Sequence, residues 1–239
     1  MTTERRKLRW NGWGLAHASF DLGSNEATVW AYIAAALGRD KLVPHPAVPL
    51  PEIHIPATRL ADDTLGALQD VVGSEHLKTD RFERAFHARG KSYLDLLAVR
   101  AGELGEQVPD AVVYPGDAEE VQGLVDLALT RDLALVPFGG GSSVVGGVTA
   151  MRGAGQTGVI TIDTTRMHQL LTLDEVSHTA TLEAGVYGPH LEQQLQARMA
   201  EADRLARATG LDMAEAGFRP TVANYFGRIT KRKILEAVA

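Results

Sequence analysis

Between Val136 and Val148 the chain runs VPFGGGSSVVGGV, with five glycines in the ten positions from Gly139 to Val148. Such a stretch has few side chains to pack and much backbone that a ligand can approach. Glycine lacks the Cβ that holds a ligand away, and it reaches φ > 0 without strain. Successive N–H groups turned to one side form a concavity for anions, so the chemistry on offer is a phosphate cradle. Three familiar cradle or loop designs are excluded by the residues present. A P-loop has its glycine spacing from Gly141 to Gly146, but Gly147 stands where the phosphate-binding lysine belongs. A Rossmann fingerprint needs glycine at 144 after Gly139 and Gly141; Val144 sits there, and no long helical pattern follows. The G-x-S-x-G nucleophile elbow is absent.

The flanking sequence must hold this loop in place. DAVVYP, ending at Pro115, is a short β run, and LALVPF is a second that leads straight into the glycines. Between them DAEEVQGLVDLALTRD carries Val121, Leu124, Val125, Leu127 and Ala128 on one helical face, with Asp117 as N-cap. Strand, helix, strand and glycine loop thus form one βαβ unit. GVITIDTTRM predicts a third strand and HTATLEAG a fourth, joined by the turn-prone LDEVS, before a helix opening at Pro189. A glycine-rich turn can be no more than a turn. Here the βαβ lead-in favours the cradle.

The first hundred residues are more mixed. SNEATVWAYIAAALG predicts a helix capped by Ser24 or Asn25 and stopped at Gly38. Pro44, Pro46, Pro49, Pro51 and Pro56 then force an extended path, of the kind that crosses a surface rather than building a core. LADDTLGALQDVVG is helical in spacing, and Phe82, Phe86, Leu94 and Leu97 recur near helical intervals. The fold class expected is α+β, in three parts: a helical and Pro-rich segment over 1–106, the βαβ-plus-hairpin region over 107–197, and a helical tail over 198–239.

Taken together, residues 109–197 resemble the flavoenzymes with the PCMH-type (vanillyl-alcohol-oxidase-like) FAD-binding fold. The glycine loop resembles that family's pyrophosphate loop, PDAVVYPGDAEEVQGLVDLAL its lead-in, and LDEVSHTATLEAGVYGPHLEQQL the hairpin and helix that follow. KLRWNGWG and RFERAFHARGKSYLDLLAVRAGE are similar to the start of bacterial relatives of alkyldihydroxyacetonephosphate (alkylglycerone-phosphate) synthase. In that family FAD works without net redox turnover, its N5 bonding a substrate carbon while an acyl chain is exchanged for a fatty alcohol. Other members of the wider group are FAD-linked oxidoreductases of hydroxy acids.

The resemblance implies FAD as cofactor. Amides of Gly139, Gly140, Gly141, Ser142 and Ser143 would grip its pyrophosphate, with the two serine hydroxyls as further donors. Pro137 and Phe138 stand at the loop's entrance among the expected cofactor contacts. Val144, Gly146 and Gly147 would line the path toward the flavin ring, and Gly185 and Val186 would lie near the adenosine half. The loop holds no histidine, so no covalent histidyl link through it is expected.

After LEQQLQAR the resemblance stops. No second glycine-rich segment follows, and the residues that remain are too few for a substrate-binding cap. A truncated or fused form is therefore expected, which a second subunit or chain would complete. The last thirty or so residues, including RPTVANYFGRITK, resemble the C-terminal end of ParB-type partitioning proteins. Lys231, Arg232 and Lys233 could touch DNA phosphates there, or form a solvated cationic face near a helix end. A non-catalytic interaction protein with such a tail is the alternative reading.

The bulk numbers bound these readings. A net charge of −6 argues against a chain that coats nucleic acid or acidic membrane. With no cysteine, disulfides, zinc–thiolate sites and thiol nucleophiles are excluded. None of the eight histidines forms an H-E-x-x-H or i, i+4 pair, so no metal site is expected. The apolar run Ala27–Gly38 is too short to span a bilayer and is separated from the basic ERRKLRW by Asp21 and Glu26. A cytoplasmic chain is expected. His87, Arg84, Lys91 and Arg100 are either cofactor-facing or surface groups. Trp10 and Trp13 are expected as packing anchors, and Tyr187 has no assigned role.

Overall fold

A computed structural model describes residues 5–18, 21–43, 45–174, 177 and 179–209, with side chains as far as Arg198. Two compact units divide the chain, Met1–Tyr187 and Gly188–Ala239. The first contains helices α1 (Glu26–Ala36), α2 (Asp62–Val72), α3 (Arg81–Phe86), α4 (Tyr93–Ala101) and α5 (Ala118–Arg131). Its strands are β1 (Leu77–Lys78), β2 (Ala111–Val113), β3 (Leu133–Phe138), β4 (Gly158–Asp163), β5 (Leu170–Asp174) and β6 (Thr179–Leu182). The described part of the second unit is one helix, α6 (Gly188–Thr209).

The main sheet has the order β1-β2-β4-β3. β2 and β3 each pair with β4 in parallel, and β1 pairs antiparallel with β2. The expected βαβ unit is present, but β4 lies between its two strands. Flanked on both sides, β4 is buried along its whole length, as its unbroken GVITID run requires. Alternation along the strands then separates two faces. Ala111, Val113, Leu133, Ile160 and Ile162 meet Leu68 and Val72 of α2 and Leu124 and Ala128 of α5 in the largest core cluster. The opposite face carries Val136 and Val159, and toward the strand ends Phe138 and Asp163.

Local signals explain the helix boundaries. The Asp117 carboxylate accepts from the Glu120 amide at 2.9 Å and opens α5, and Asp132 closes it at φ 53°. Asp80 caps α3 through the Phe82 and Glu83 amides, and Ser92 caps α4 through the Asp95 amide. The RFERAF…AVR stretch is therefore two helices, and Leu94 and Leu97 face solvent while Val99 is buried. α1 follows directly from a helical turn at Gly23–Asn25, so neither Ser24 nor Asn25 caps it by side chain; Gly38 does end it, at φ 63°.

Other expectations are corrected. The Pro-rich segment is more than a surface crossing: Ile53 is buried in a second cluster with Ala88, Val99, Leu104 and Val108, and Leu60 joins the main core. Trp10 packs on that second cluster, whereas Trp13 is 57% exposed. GVITIDTTRM stops as a strand at Asp163, and the hairpin's first arm is a strand of its own, β5, paired with β6. The β1–β2 ladder and the packing of α2 on α5 cross position 107, and α6 runs unbroken through position 198. Residues 210–239, which carry the ParB-like resemblance, lie outside the described residues. No described helix is long and apolar enough to cross a membrane.

The α5 packing gives a direct test. Leu124 is 1% exposed and Leu129, on the same helix, 75%. Leu124→Ala is expected to lower unfolding free energy by about 2–5 kcal/mol, and Leu129→Ala by less than about 0.5 kcal/mol. Urea titration of both variants checks the face assignment.

Candidate cofactor site

β3 and β4 end together, with Phe138 opposite Asp163, and the glycine loop leaves from that carboxyl end. The carboxyl ends of parallel strands are where open α/β sheets bind ligands. Asp163 organises the place. Its Oδ2 accepts from Arg5 Nε at 2.7 Å and from His87 Nε2 at 2.8 Å, while Oδ1 accepts from the Thr165 amide at 2.9 Å and hydroxyl at 2.6 Å. Burial alone would raise the Asp163 carboxyl. Hydrogen bonding from His87 and the charge of Arg5 more than offset that and hold it below the usual carboxylate value. Burial alone would lower Arg5, and the Asp163 carboxylate reverses the sign.

From this anchor the Arg5 guanidinium reaches outward. One Nη donates to the Gly139 carbonyl at 2.5 Å and the other to the Tyr187 hydroxyl. The loop's first carbonyl, the end of β4 and the turn after β6 are thereby tied to one side chain. At the loop's far side the Lys91 amide donates to the Ser143 carbonyl at 2.7 Å, and the Ala150 amide to the Ala88 carbonyl at 3.1 Å. Between the ties lies Gly141, buried, at φ 67°, where a Cβ would collide with the Phe138 ring. Only glycine fits there.

Two of the loop's carbonyls, those of Gly139 and Ser143, are thus tied to the protein, and its amides are not used up. Among the described residues no oxygen accepts from the amides of Gly140 to Val145. The one side-chain bond inside the loop is from the Gly147 amide to Ser143 Oγ at 3.0 Å, which leaves that hydroxyl free to donate. Open donors, a floor without Cβ and an ammonium carried by a residue whose backbone is bonded to the loop fit a diphosphate. That ammonium is Lys91, held down to about 8 by burial first and by Arg5 second.

The sequence-expected residues divide accordingly. Gly139 to Ser143, Val144, Gly146 and Gly147 come together in the loop, with Val144 and Val145 exposed. Phe138 is buried against His87 and Phe86, with ring centroids at 4.4 and 6.1 Å, and Pro137 is exposed. The Gly185 amide donates to the Met167 carbonyl and the Val186 amide to Glu183, so both are engaged within the chain. A Cβ at 185 would overlap the Thr164 carbonyl oxygen. His87 is fully buried on Asp163, Arg84 is buried with its Nε on the Pro109 carbonyl, and Arg100 is exposed on α4. Arg5 and Asp163 were not singled out by sequence reasoning. They pair across 158 positions, and no local pattern marks such a contact.

Comparison with known proteins agrees with this geometry. Residues 109–210 match the family described as FAD binding domain. The alkyldihydroxyacetonephosphate synthase of Dictyostelium discoideum is 34% identical over 150 residues, which is 63% of this chain and 24% of the relative. That of Trypanosoma brucei brucei is 34% identical over 160 residues, 66% of this chain and 26% of the relative. The chain spans about a quarter of the length of these curated relatives. A solved alkyldihydroxyacetonephosphate synthase superposes with a TM-score of 0.71 at 28% identity, covering 80% of this chain and 39% of that one. Residues 109–210 therefore carry an FAD-binding domain, in the PCMH-type fold found in alkyldihydroxyacetonephosphate synthase, with FAD as cofactor.

Proposed function

We propose that the loop from Gly139 to Ser143 holds the diphosphate of FAD through its amides, with Pro137 and Phe138 at its entrance. Val144, Gly146 and Gly147 lead toward the flavin ring, and Gly185 and Val186 flank the adenosine half. The observation that carries this reading is the inversion of the loop: its Gly139 and Ser143 carbonyls are tied back while the amides of Gly140 to Val145 have no acceptor among the described residues. The reading extends to the activity of the relatives, in which this chain supplies the cofactor-holding part of an alkyldihydroxyacetonephosphate synthase-like flavoenzyme. Bound FAD would supply an isoalloxazine ring able to take electron density from a substrate carbon. The chain's own residues hold it: Arg5 fixes the loop's first carbonyl, and Asp163 fixes Arg5.

The proposal includes a second subunit or chain completing the domain. It is supported by α1, which after Glu26 has no charged residue and presents Trp30 and Tyr32 to solvent, with exposed Leu37 at its C-cap. Light scattering on the purified chain reads that directly. A cytoplasmic setting fits a sequence without cysteine.

Purified chain incubated with FAD and desalted is expected to retain the flavin absorbance. Acid precipitation should release all of it to the supernatant, as no histidyl link is formed. Gly141→Ala is expected to weaken FAD binding by about tenfold or more through strain at positive φ and collision with Phe138. Failure of the wild-type chain to take up FAD contradicts the proposal. Asp163→Asn leaves Arg5 and His87 buried without their carboxylate and is expected to destabilise the chain by about 3–5 kcal/mol near neutral pH. Asp163 is held below its ordinary value of 3.8, so its contribution is present above that pH and lost as pH falls through the lower folded value. The gap between wild type and Asp163→Asn should therefore narrow only in strong acid, as urea titration across pH would show.

A further inference from the structure

We propose that Lys91 is the cation that neutralises the cofactor's diphosphate, and that the pairing of its own backbone with the glycine loop positions it for this. The inference rests on the loop being the diphosphate cradle. Gly90 and Lys91 lie against the loop's far end: a Cβ at 90 would overlap the Ser143 carbonyl oxygen, and the Lys91 amide donates to that oxygen. The ammonium lies 5.4 Å from the centroid of the Phe86 ring of α3. The Arg5 guanidinium lies 5.5 Å from the same ring. These two cations share one aromatic surface, but their situations differ. Arg5 is matched by Asp163 and by Tyr187. Among the described residues no carboxylate pairs with Lys91 Nζ.

A half-buried ammonium that feels a second cation and pairs with no carboxylate among the described residues is costly to the folded chain. Packing alone would be served by methionine in its place. The missing anion is supplied if a diphosphate sits on the open amides of Gly140 to Val145, in the loop whose Ser143 carbonyl the Lys91 backbone holds. The ammonium lies over the Phe86 ring from α3 and feels the charge of Arg5 from the N-terminal turn, while the Ser143 carbonyl of the loop is taken by the Lys91 backbone amide. Burial and Arg5 hold it down to about 8, within reach of ordinary buffers. Two opposite pH effects follow. Without FAD, the charge on Lys91 destabilises the fold below about pH 8, and the penalty is relieved as pH rises toward the unfolded value of 10.5. With FAD, the charge strengthens binding below about pH 8, and that gain is lost above it.

The test is FAD binding by fluorescence quenching, from about pH 6.5 to about pH 9.5, for the wild-type chain, Lys91→Met and Lys91→Arg, with riboflavin as the phosphate-free control. Wild-type Kd for FAD is expected to rise about tenfold across the range, a typical effect of one charge-assisted contact. Lys91→Met should start about tenfold weaker and show no such rise, and Lys91→Arg should bind tightly throughout. Riboflavin affinity should be the same in all three. Without cofactor, Lys91→Met should melt no lower than wild type at neutral pH, which separates lost binding from lost fold. Wild-type FAD affinity and pH dependence in Lys91→Met, or an equal loss for riboflavin, would overturn the assignment of Lys91 to the diphosphate. If the wild-type chain takes up no FAD at any pH, the cradle itself is wrong and this inference falls with it.

Discussion

A loop of small residues binds an anion only if its amides are kept from the chain's own carbonyls. In this protein that condition rests on the Arg5–Asp163 ion pair. Asp163 accepts four hydrogen bonds at the end of β4, and Arg5, fixed there, turns the Gly139 carbonyl inward. The peptide amides that follow are then directed away from internal acceptors. Without that anchor the loop could close on itself, and its glycines would be only a flexible turn. Because the ion pair is buried, its worth lies less in net stability than in holding one arrangement.

The rest of the fold serves to put the anchor where the loop begins. Parallel pairing of β4 with both β2 and β3 buries it on both edges, and alternation sends Ile160 and Ile162 to the helical side. Asp163 is thereby left on the opposite face, beside Phe138 and beneath α3, where His87 and the N-terminal turn reach it. The Phe138 ring supports Gly141 from below, which is why the loop has a fixed floor despite its composition. Apolar packing sets the sheet, the sheet end sets the carboxylate, and the carboxylate sets the loop.

Much of this was legible in the sequence, because it is written in local signals. The glycines, the β runs on either side and Asp117 at the head of α5 each mark their own element within a few residues. The resemblance carried by residues 109–197 led to the FAD-binding fold and its cofactor. What was not legible is long-range. The insertion of β4 between β2 and β3, the burial of Ile53 in a second core, and the pairing of Arg5 with Asp163 depend on contacts between distant segments. Arg5 sits in ERRKLRW, where periodicity and charge give only a basic turn. Lys91 was ambiguous for the same reason: its role depends on a strand-like contact with residue 143, which neither stretch announces.

The central claim is that these amides grip a diphosphate. It is tested most directly by following backbone amide resonances of the ¹⁵N-labelled chain during titration with FAD and, separately, with riboflavin. The account predicts large downfield shifts of the Gly140, Gly141, Ser142 and Ser143 amides with FAD, and none of that size with riboflavin. FAD binding that leaves those four amides unmoved while others shift would contradict it.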